Sequence, residues 1–282
     1  MAQRRVGIWY NDSKENSLET AYQLVGVLRR QGVKPVMGPM LAQALGETAS
    51  SQGDFAGCEF LCVLGGDGTL LAAVDAALDL NLPLLGVNLG RVGYLSEVQP
   101  ENLARDVGRA LAGEGWLDRR MLLRASTSDG GSALALNEVA FNRSENSVGI
   151  LALEVSAGGA MVDRVAGDGL VVATPTGSTA YSLSAGGPLV APGLNCILLT
   201  PICPHTLRTR PVVVSADQAV QVRLMDQRGG AHVLLDGFKP LPIPPQDPTV
   251  TIRRWERTVS FLRLGHLNFF DLMRDKLSEW SH

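Results

Sequence analysis

Lysine is scarce in this chain of 282 residues, and the placement of its four lysines excludes one common phosphate-binding motif. A P-loop ends in Gly-Lys followed by Ser or Thr, because its lysine reaches the phosphates that the loop backbone holds. The four lysines all follow residues other than glycine; they are Lys14, Lys34, Lys239 and Lys276. The sequence therefore contains no P-loop.

Cysteine is equally rare, and the four cysteines (Cys58, Cys62, Cys196 and Cys203) form no Cys-x-x-Cys pair. No spacing of His, Cys and Asp is typical of structural zinc, so we expect free thiols and no metal-ligating residue. The N-terminal residues lack the apolar core of a signal peptide, and no apolar run approaches the roughly 18 residues of a membrane span. These features predict a cytoplasmic protein with no membrane partner.

An excess of positive charge is also absent, since 25 Lys and Arg residues oppose 28 Asp and Glu residues for a net charge of -3. Binding to a phosphate backbone usually needs a basic excess, so we expect no nucleic-acid partner. The 45% hydrophobic and 19% charged composition is typical of a folded globular protein. At roughly 150 residues per domain, the length predicts about two domains.

The N-terminal part of the chain alternates short apolar runs with amphipathic stretches, which is typical of βαβ units around a parallel sheet. We predict a Rossmann-like α/β domain over residues 1–117. Its predicted strands are 6–10, 34–37, 60–64 and 83–87, and its predicted helices are 17–31 and 69–80. The last two strands end in glycine-containing loops, and open α/β sheets bind ligands beyond the carboxyl ends of their strands.

The remainder of the chain consists of short β-rich segments separated by Gly, Pro and Asn. This pattern predicts an all-β domain of stacked sheets or a sandwich over residues 118–262. Its predicted strands are 121–126, 133–142, 150–157, 169–174, 197–201, 212–214, 219–224, 233–236 and 249–253. Helical spacing returns after residue 262, so we expect the tail 263–282 to form a helix that packs on the first domain.

A glycine-rich loop, Gly65-Gly66-Asp67-Gly68-Thr69, lies between a predicted buried strand and a helix. Free backbone N–H groups and the helix dipole favour an anion at such a junction, and glycine lets a ligand approach closely. Leu71 stands where a Rossmann fingerprint needs its third glycine. A carboxylate at this place can accept a hydrogen bond from a hydroxyl about to be phosphorylated. Asp67 is therefore a candidate base, and the alternative is a tight structural turn.

A second glycine-rich stretch covers residues 167–188. It begins with Gly167-Asp168-Gly169 before a predicted strand and continues into a turn rich in Ser and Thr, which offers short donors and acceptors to a polar ligand. The alternative is a β-turn followed by a helix capped by Ser178 or Thr179. The two interpretations are compatible.

Taken in order, these segments resemble the NAD kinase family, whose members phosphorylate the 2′-hydroxyl of the NAD adenosine ribose to give NADP. The likeness covers most of the chain from Phe60 onward, and Asn268-Phe269-Phe270 resembles the family's tail. The matching blocks are residues 65–71, 86–90 with 93–95, 136–139, 167–188, and 199–207 with 210–211. The first block also occurs in other kinases, so a lipid or sugar kinase and a non-catalytic dinucleotide sensor stay open as alternatives.

The resemblance implies a role for each matching position. Asp67 would be the catalytic base that takes the proton of the ribose hydroxyl. The positions implied to bind substrate or cofactor are Gly66, Gly68, Tyr94, Asn137, Glu138, Asp168, Thr179, Ala180, Tyr181, Ser182, Ser184 and Cys203. For Asn137 and Glu138 the alternative is an exposed strand end.

The resemblance also implies partners and points to three departures from the family pattern. The phosphoryl donor would be ATP or inorganic polyphosphate with Mg²⁺ or another divalent cation. The protein would be a homo-oligomer, a dimer or tetramer, with its sites near a subunit interface. The departures are Ala72 and Ala166, where members often have Arg, and Phe238, where Gln is common. We expect them to affect specificity more than the reaction.

Overall fold

The structure is a computed structural model that describes residues 3–14, 16–47, 55–90, 93–144, 149–225, 231–265 and 269–279, with side chains of the last segment described to residue 274. Asn268, part of the tail resemblance, lies outside the described residues. The chain divides into two compact units: unit 1 is residues 1–119 with 259–282, and unit 2 is residues 120–258. The sequence pattern placed these boundaries after residues 117 and 262.

Unit 1 contains a parallel sheet with helices. Its strands are β1 (Arg5–Tyr10), β2 (Lys34–Met37), β3 (Leu61–Gly65) and β4 (Leu84–Asn88), in the order β2-β1-β3-β4. Its helices are α1 (Ser17–Arg30), α2 (Pro39–Ala44), α3 (Asp67–Leu80) and α4 (Leu103–Leu111). Every residue of β3 and β4 is buried, which explains their continuous apolar sequences. Because the strands are parallel, the loops after β3 and β4 leave the same edge of the sheet.

Unit 2 is built almost entirely of strands. They are β5 (Trp116–Thr127), β6 (Ser132–Ala135), β7 (Glu138–Arg143), β8 (Leu151–Ala157), β9 (Ala160–Gly167), β10 (Gly169–Ala173), β11 (Cys196–Ile202), β12 (Val212–Ser215), β13 (Val220–Leu224), β14 (Ala231–Leu235), β15 (Lys239–Pro240) and β16 (Thr249–Arg263). The short helix α5 (Tyr181–Ser184) follows β10. β5 begins in unit 1 and ends in unit 2, and β16 runs from unit 2 into unit 1.

Two antiparallel arrangements of strands enclose the core of unit 2. One is a sheet with the strand order β12-β11-β10-β7-β14-β15. In the other, the start of β16 pairs with β13, β13 pairs with β8, and β8 pairs with β9. Alternate side chains of both arrangements, such as Phe141 of β7 and Val155 of β8, belong to one buried apolar cluster. With the parallel sheet of unit 1 this confirms the predicted fold class. The C-terminal helix α6 (Phe269–Glu279) belongs to unit 1, and its Met273 is buried.

Several predicted elements were wrong in detail. The single strand expected at 133–142 is two strands, β6 and β7, which pair in different sheets. β16 continues ten residues past its expected end at 253 to Arg263. Helices α2 and α4 and strand β9 have no counterpart among the predicted elements. Among the described helices, none combines the length and apolar character that crossing a bilayer requires.

Candidate active site

Asp67 begins helix α3 directly beyond the carboxyl end of β3, with the extended residue Gly66 before it. The glycines of this loop differ in what surrounds them. A Cβ at Gly65 would overlap the side chain of Thr69, so the packing itself requires glycine there. A Cβ at Gly66 or Gly68 would meet nothing within 4 Å. The loop therefore offers open space on either side of Asp67, next to the positive end of the α3 dipole.

The carboxylate of Asp67 is held by the loop that follows β4. Its Oδ2 accepts the backbone N–H of Tyr94 at 2.7 Å, and its Oδ1 accepts that of Leu95 at 3.1 Å. A Cβ on Gly93 would overlap Oδ1, so only glycine lets the loop approach this closely. Asp67 is half-buried, so its carboxylate is both fixed in direction and partly accessible.

Tyr94 and Asn88 complete the polar surroundings of this loop. Burial and the negative charge of Asp67 both raise the pKa of Tyr94, which keeps its phenol protonated at neutral pH. The buried Asn88 side chain ends β4 and donates to the Gly90 carbonyl at 3.1 Å. Its Oδ1 has no partner among the described residues.

In unit 2, Asp236 shapes the turn between β6 and β7. Its carboxylate accepts three consecutive backbone N–H groups, from Leu136 at 2.9 Å, Asn137 at 2.7 Å and Glu138 at 3.2 Å. Asp236 has the left-handed φ of 52° and is followed by Gly237, which turns the chain after β14. These N–H groups bind Asp236 instead of a neighbouring strand, which is why the predicted strand 133–142 is interrupted.

Glu138 is a buried acid with an incomplete set of hydrogen bonds. The backbone N–H of Tyr181 bonds its carboxyl group, but its buried Oε2 has no partner among the described residues. Burial, together with the charge of Asp236, raises the pKa of Glu138 to about 8. Glu138 is therefore mostly protonated at neutral pH. Burial also raises the pKa of Asp236, although its three backbone donors oppose that rise.

The turn after β10 packs directly on Asn137. Thr174 donates its hydroxyl to the Leu136 carbonyl at 2.6 Å and accepts the N–H of Gly177 at 3.0 Å. A Cβ at Gly177 would overlap the Asn137 carbonyl. The glycine thus brings the 3₁₀ turn Thr176–Thr179 against the β6–β7 turn, which joins two of the sequence blocks in one place.

Tyr181 lies near three other predicted site residues. Its hydroxyl donates to Asn142 Oδ1 at 3.1 Å, and its side chain is partly exposed. Burial raises its pKa, and nearby Cys203, Glu138 and Asp168 raise it further. Glu138 begins β7 opposite Ala173, whereas Asp168 and Cys203 lie beside the other end of β7, near Asn142 and Arg143. Tyr181 therefore runs along β7, with its backbone N–H at Glu138 and its hydroxyl at Asn142.

Asp168 and Cys203 are brought together by tight backbone packing. The N–H of Asp168 bonds the Ile202 carbonyl at 3.0 Å, and its carboxylate lies 3.7 Å from Arg143 Nη2. A Cβ at Gly167 would lie 2.8 Å from the carbonyl oxygens of Ile202 and Cys203. Cys203 itself has a positive φ of 43° and is exposed.

The hydroxyl-rich turn is divided between surface and interior. Thr179 and Ala180 are half-buried and Ser184 is exposed, whereas Ser182 is fully buried and its hydroxyl pairs with that of Thr200 at 2.9 Å. Ser178 was expected as a possible helix cap, but its hydroxyl bonds the backbone of Val190, and α5 has no side-chain cap.

Two models of known protein domains match most of this chain. A family model described as "ATP-NAD kinase N-terminal domain" matches residues 6–115, and one described as "ATP-NAD kinase C-terminal domain" matches residues 136–264. The chain belongs to the NAD kinase family. The resemblance drawn from the sequence blocks is confirmed.

Individual relatives within the family match along nearly the whole chain. The NAD kinase of Symbiobacterium thermophilum is 39% identical over 95% of this chain and 96% of its own length, and that of Moorella thermoacetica is 38% identical over 98% and 90%. Among solved structures, an NAD kinase from Archaeoglobus fulgidus in complex with ATP has a TM-score of 0.71 at 28% identity, covering 92% of this chain and 93% of that one. Yeast NADH kinase complexed with NADH has a TM-score of 0.86 at 22% identity, covering 99% and 88%, and supports the fold.

For this NAD kinase family member, the structure separates the predicted site residues into two groups. Gly66, Asp67, Gly68 and Tyr94 lie in unit 1, and the others lie in unit 2. The alternative of an exposed strand end is wrong for Glu138, which is buried. Of the three departures from the family pattern, Ala72 is exposed on α3, Ala166 is half-buried on β9, and Phe238 is exposed beside Lys239 Nζ at 5.5 Å.

Sequence reasoning missed the residues that hold the site residues in place. Asp236 and Thr174 support the Asn137 turn, and Asn142 accepts the Tyr181 hydroxyl. The Asp236-Gly237 pair is an ordinary turn signal, but nothing local indicates that its carboxylate binds a segment 99 residues away. In the part of the chain that the structure describes, no three His, Cys, Asp or Glu residues are grouped so that they could hold a metal ion.

Proposed function

We propose that this NAD kinase family member transfers the terminal phosphoryl group of ATP to the 2′-hydroxyl of the adenosine ribose of NAD, giving NADP. The observation that carries this proposal is the Asp67 carboxylate, which two backbone N–H groups fix at the start of α3 while leaving it partly accessible. The relatives at 38% and 39% identity are named NAD kinases, and the Archaeoglobus relative binds ATP.

Asp67 would act as the base. Each of its oxygens accepts one backbone N–H and keeps further lone-pair capacity for the ribose hydroxyl. In the reaction the hydroxyl oxygen forms a bond to the terminal phosphorus, the bond from that phosphorus to the bridging oxygen of ATP breaks, and ADP leaves. The transition state of phosphoryl transfer is loose, so the carboxylate chiefly orients the hydroxyl and takes its proton late.

The open glycine loop would receive the donor phosphates. The space beside Gly66 and Gly68 lets phosphate oxygens approach the backbone at the positive end of the α3 dipole. The Asp67 charge repels bare phosphate, and a divalent cation bound with the donor would offset that repulsion. Since the described residues form no metal-holding group, we propose that Mg²⁺ arrives with ATP as part of the substrate.

Unit 2 would supply recognition of the dinucleotide. Glu138 with its unpartnered Oε2, the Tyr181 ring and the Asp168 carboxylate provide a donor, an aromatic surface and an acceptor along the length of β7. The remaining proposed contacts are Asn137, Thr179, Ala180, Ser184 and Cys203. Ser182 would contribute by fixing α5 through its bond to Thr200.

The protein would work in the cytoplasm as a homo-oligomer, dimer or tetramer, with its sites near a subunit interface. Edge strand β12 exposes Val212 and Val213, and Leu207 in the loop after β11 is 89% exposed. Exposed apolar side chains along an unpaired strand edge favour association with a second copy. The four cysteines, which all lie within the described residues, form no disulfide, which suits a reducing compartment.

The test is NADP formation by the purified protein with NAD, Mg²⁺ and either ATP or polyphosphate. We expect NADP with the wild type and loss of turnover in Asp67→Asn with NAD affinity retained. Asp79→Asn, the same change further along α3, is the matched control and should keep activity. NAD binding without NADP from either donor would instead identify a dinucleotide sensor. Turnover with polyphosphate but not with ATP would identify polyphosphate as the donor instead.

A further inference from the structure

The loop that holds Asp67 is itself held by the end of β16. Leu95 donates its backbone N–H to Asp67 Oδ1 at 3.1 Å. The carbonyl of the same residue accepts a hydrogen bond from Arg263 Nη1 at 2.7 Å. The Leu95 peptide groups are therefore hydrogen-bonded to Arg263 through the carbonyl and to Asp67 through the N–H. All three residues lie in unit 1.

The Arg263 guanidinium has a fixed orientation. Its side chain is only 9% exposed, and its Nε lies 3.2 Å from Asp118 Oδ2 while its Nη1 lies 3.4 Å from Glu97 Oε2. The group also lies over the Phe261 ring at 5.5 Å. Two largely buried carboxylates offset the cost of burying the cation, and the planar guanidinium reaches them and the Leu95 carbonyl together.

Glu97 connects the other end of the loop to the residues that follow β16. Its Oε1 accepts the backbone N–H groups of Leu264 at 2.9 Å and Gly265 at 2.8 Å. At the near end, Gly93 lies against Asp67 Oδ1. Residues 93–97 are thus bound at both ends, and a displacement of Leu95 must move the N–H group that orients Asp67.

We propose that Arg263 is a positioning residue for phosphoryl transfer: by holding the Leu95 carbonyl it fixes the backbone donors that aim the Asp67 carboxylate. This rests on the proposed function, in which Asp67 orients the ribose hydroxyl. Misplacement of a reacting group by about 1 Å can cost roughly 100-fold in rate. Arg263 touches neither substrate nor donor in this account and acts only through Leu95.

Arg263→Lys is the primary variant because it keeps the positive charge between Glu97 and Asp118. A lysine ammonium can offset those charges, but it lacks the planar fork that reaches three acceptors together. Arg109→Lys is the matched control. Arg109 donates to the Leu264 carbonyl at 2.9 Å and pairs with Glu114. It therefore contacts the residues that follow β16 through hydrogen bonds that do not involve the 93–97 loop.

The kinetic test compares these variants in NADP formation. We expect Arg263→Lys to lower kcat by about ten-fold or more while KM for NAD and ATP stays within about two-fold, and Arg109→Lys to leave kcat near wild type. In single turnover, Arg263→Lys should add little to the loss already caused by Asp67→Asn, because both changes disable the same group. A kcat equal to that of Arg109→Lys, or a loss that persists undiminished in the Asp67→Asn background, would overturn the proposal.

Amide hydrogen exchange gives a readout that needs no activity. Exchange at the Leu95 and Tyr94 amides should accelerate in Arg263→Lys and remain at the wild-type rate in Arg109→Lys. Unchanged protection in Arg263→Lys would refute positioning even if the protein makes NADP. If the wild type makes no NADP but exchange at these amides is faster in Arg263→Lys, the proposed function is refuted. The hold of Arg263 on the 93–97 loop is then still established.

Discussion

Asp236 receives three backbone N–H groups on its carboxylate, whereas the neighbouring buried Glu138 receives one. Burial raises the pKa of both carboxyl groups, but three backbone donors oppose that rise at Asp236 and only one opposes it at Glu138. The donors around Asp236 favour its ionised form, and the dry surroundings of Glu138 together with the Asp236 charge favour the neutral form of Glu138. Lys239 acts on Asp236 in the same sense as its backbone donors.

The first prediction concerns stability against pH. The pKa of Glu138 is raised from 4.5 to about 8, so between these values the folded protein binds more protons than the unfolded chain. The stability from this group is fully present below pH 4.5 and is lost as pH rises through about 8. Denaturant unfolding across this window should show a fall in the free energy of unfolding that Glu138→Gln weakens. An exposed control, Glu101→Gln, should keep the wild-type slope.

The second prediction separates packing from ligand approach in the glycine loop. Gly68→Ala has open space around its Cβ and lies within α3, so it should fold and gain up to about 1 kcal/mol from helix propensity. Its KM for ATP should nevertheless rise, because the added methyl narrows the approach to the backbone. Gly65→Ala overlaps Thr69 and should cost about 1–3 kcal/mol. Thermal unfolding and steady-state kinetics on both variants check this, and unchanged kinetics in Gly68→Ala would count against phosphate binding there.

The third prediction tests the support for the Asn137 turn. Asp236→Asn replaces an acceptor oxygen by an amide that meets backbone N–H groups, and leaving a buried donor unsatisfied costs about 1–3 kcal/mol. We expect a lower Tm and a higher KM for NAD, with a smaller change in kcat. Asp247→Asn lies at an exposed position and should alter neither quantity. A normal KM for NAD in Asp236→Asn would show that the Asn137 turn does not contribute to dinucleotide binding.

The fourth prediction concerns assembly. Val213→Lys places a charge on the exposed edge strand β12 and should shift the mass measured by light scattering towards that of one chain. Met225→Lys changes an equally exposed apolar residue outside β12 and should leave the mass unchanged. A wild type that already has the mass of a single chain would contradict the oligomer proposal itself.

The parts of the fold that were predicted well have local causes. β3 and β4 are buried on both faces and therefore appear as continuous apolar runs, so the strands expected at 60–64 and 83–87 lie within one residue of those observed. The glycine loop after β3 was recognisable because a strand, a turn and a helix follow one another without interruption.

The parts that were not predicted depend on contacts between distant residues. The break between β6 and β7 is caused by Asp236, which lies 99 residues from Asn137, and Arg263 reaches across 168 residues to Leu95. Neither contact leaves a periodic pattern near either partner. The sequence resemblance named the residues expected to meet substrate, but the residues that hold them in place became visible only when the chain was folded.

The close fit of Gly93 against Asp67 has a consequence for genetic selection. Any side chain at Gly93 would press on the Asp67 carboxylate, although Gly93 has no chemistry of its own. In a saturation library grown under dependence on NADP synthesis, Gly93 should tolerate replacements as poorly as Asp67. Screened for protein abundance alone, Asp67→Asn should survive while bulky replacements of Gly93 decline. The two positions would look alike to a growth assay and different to an expression assay.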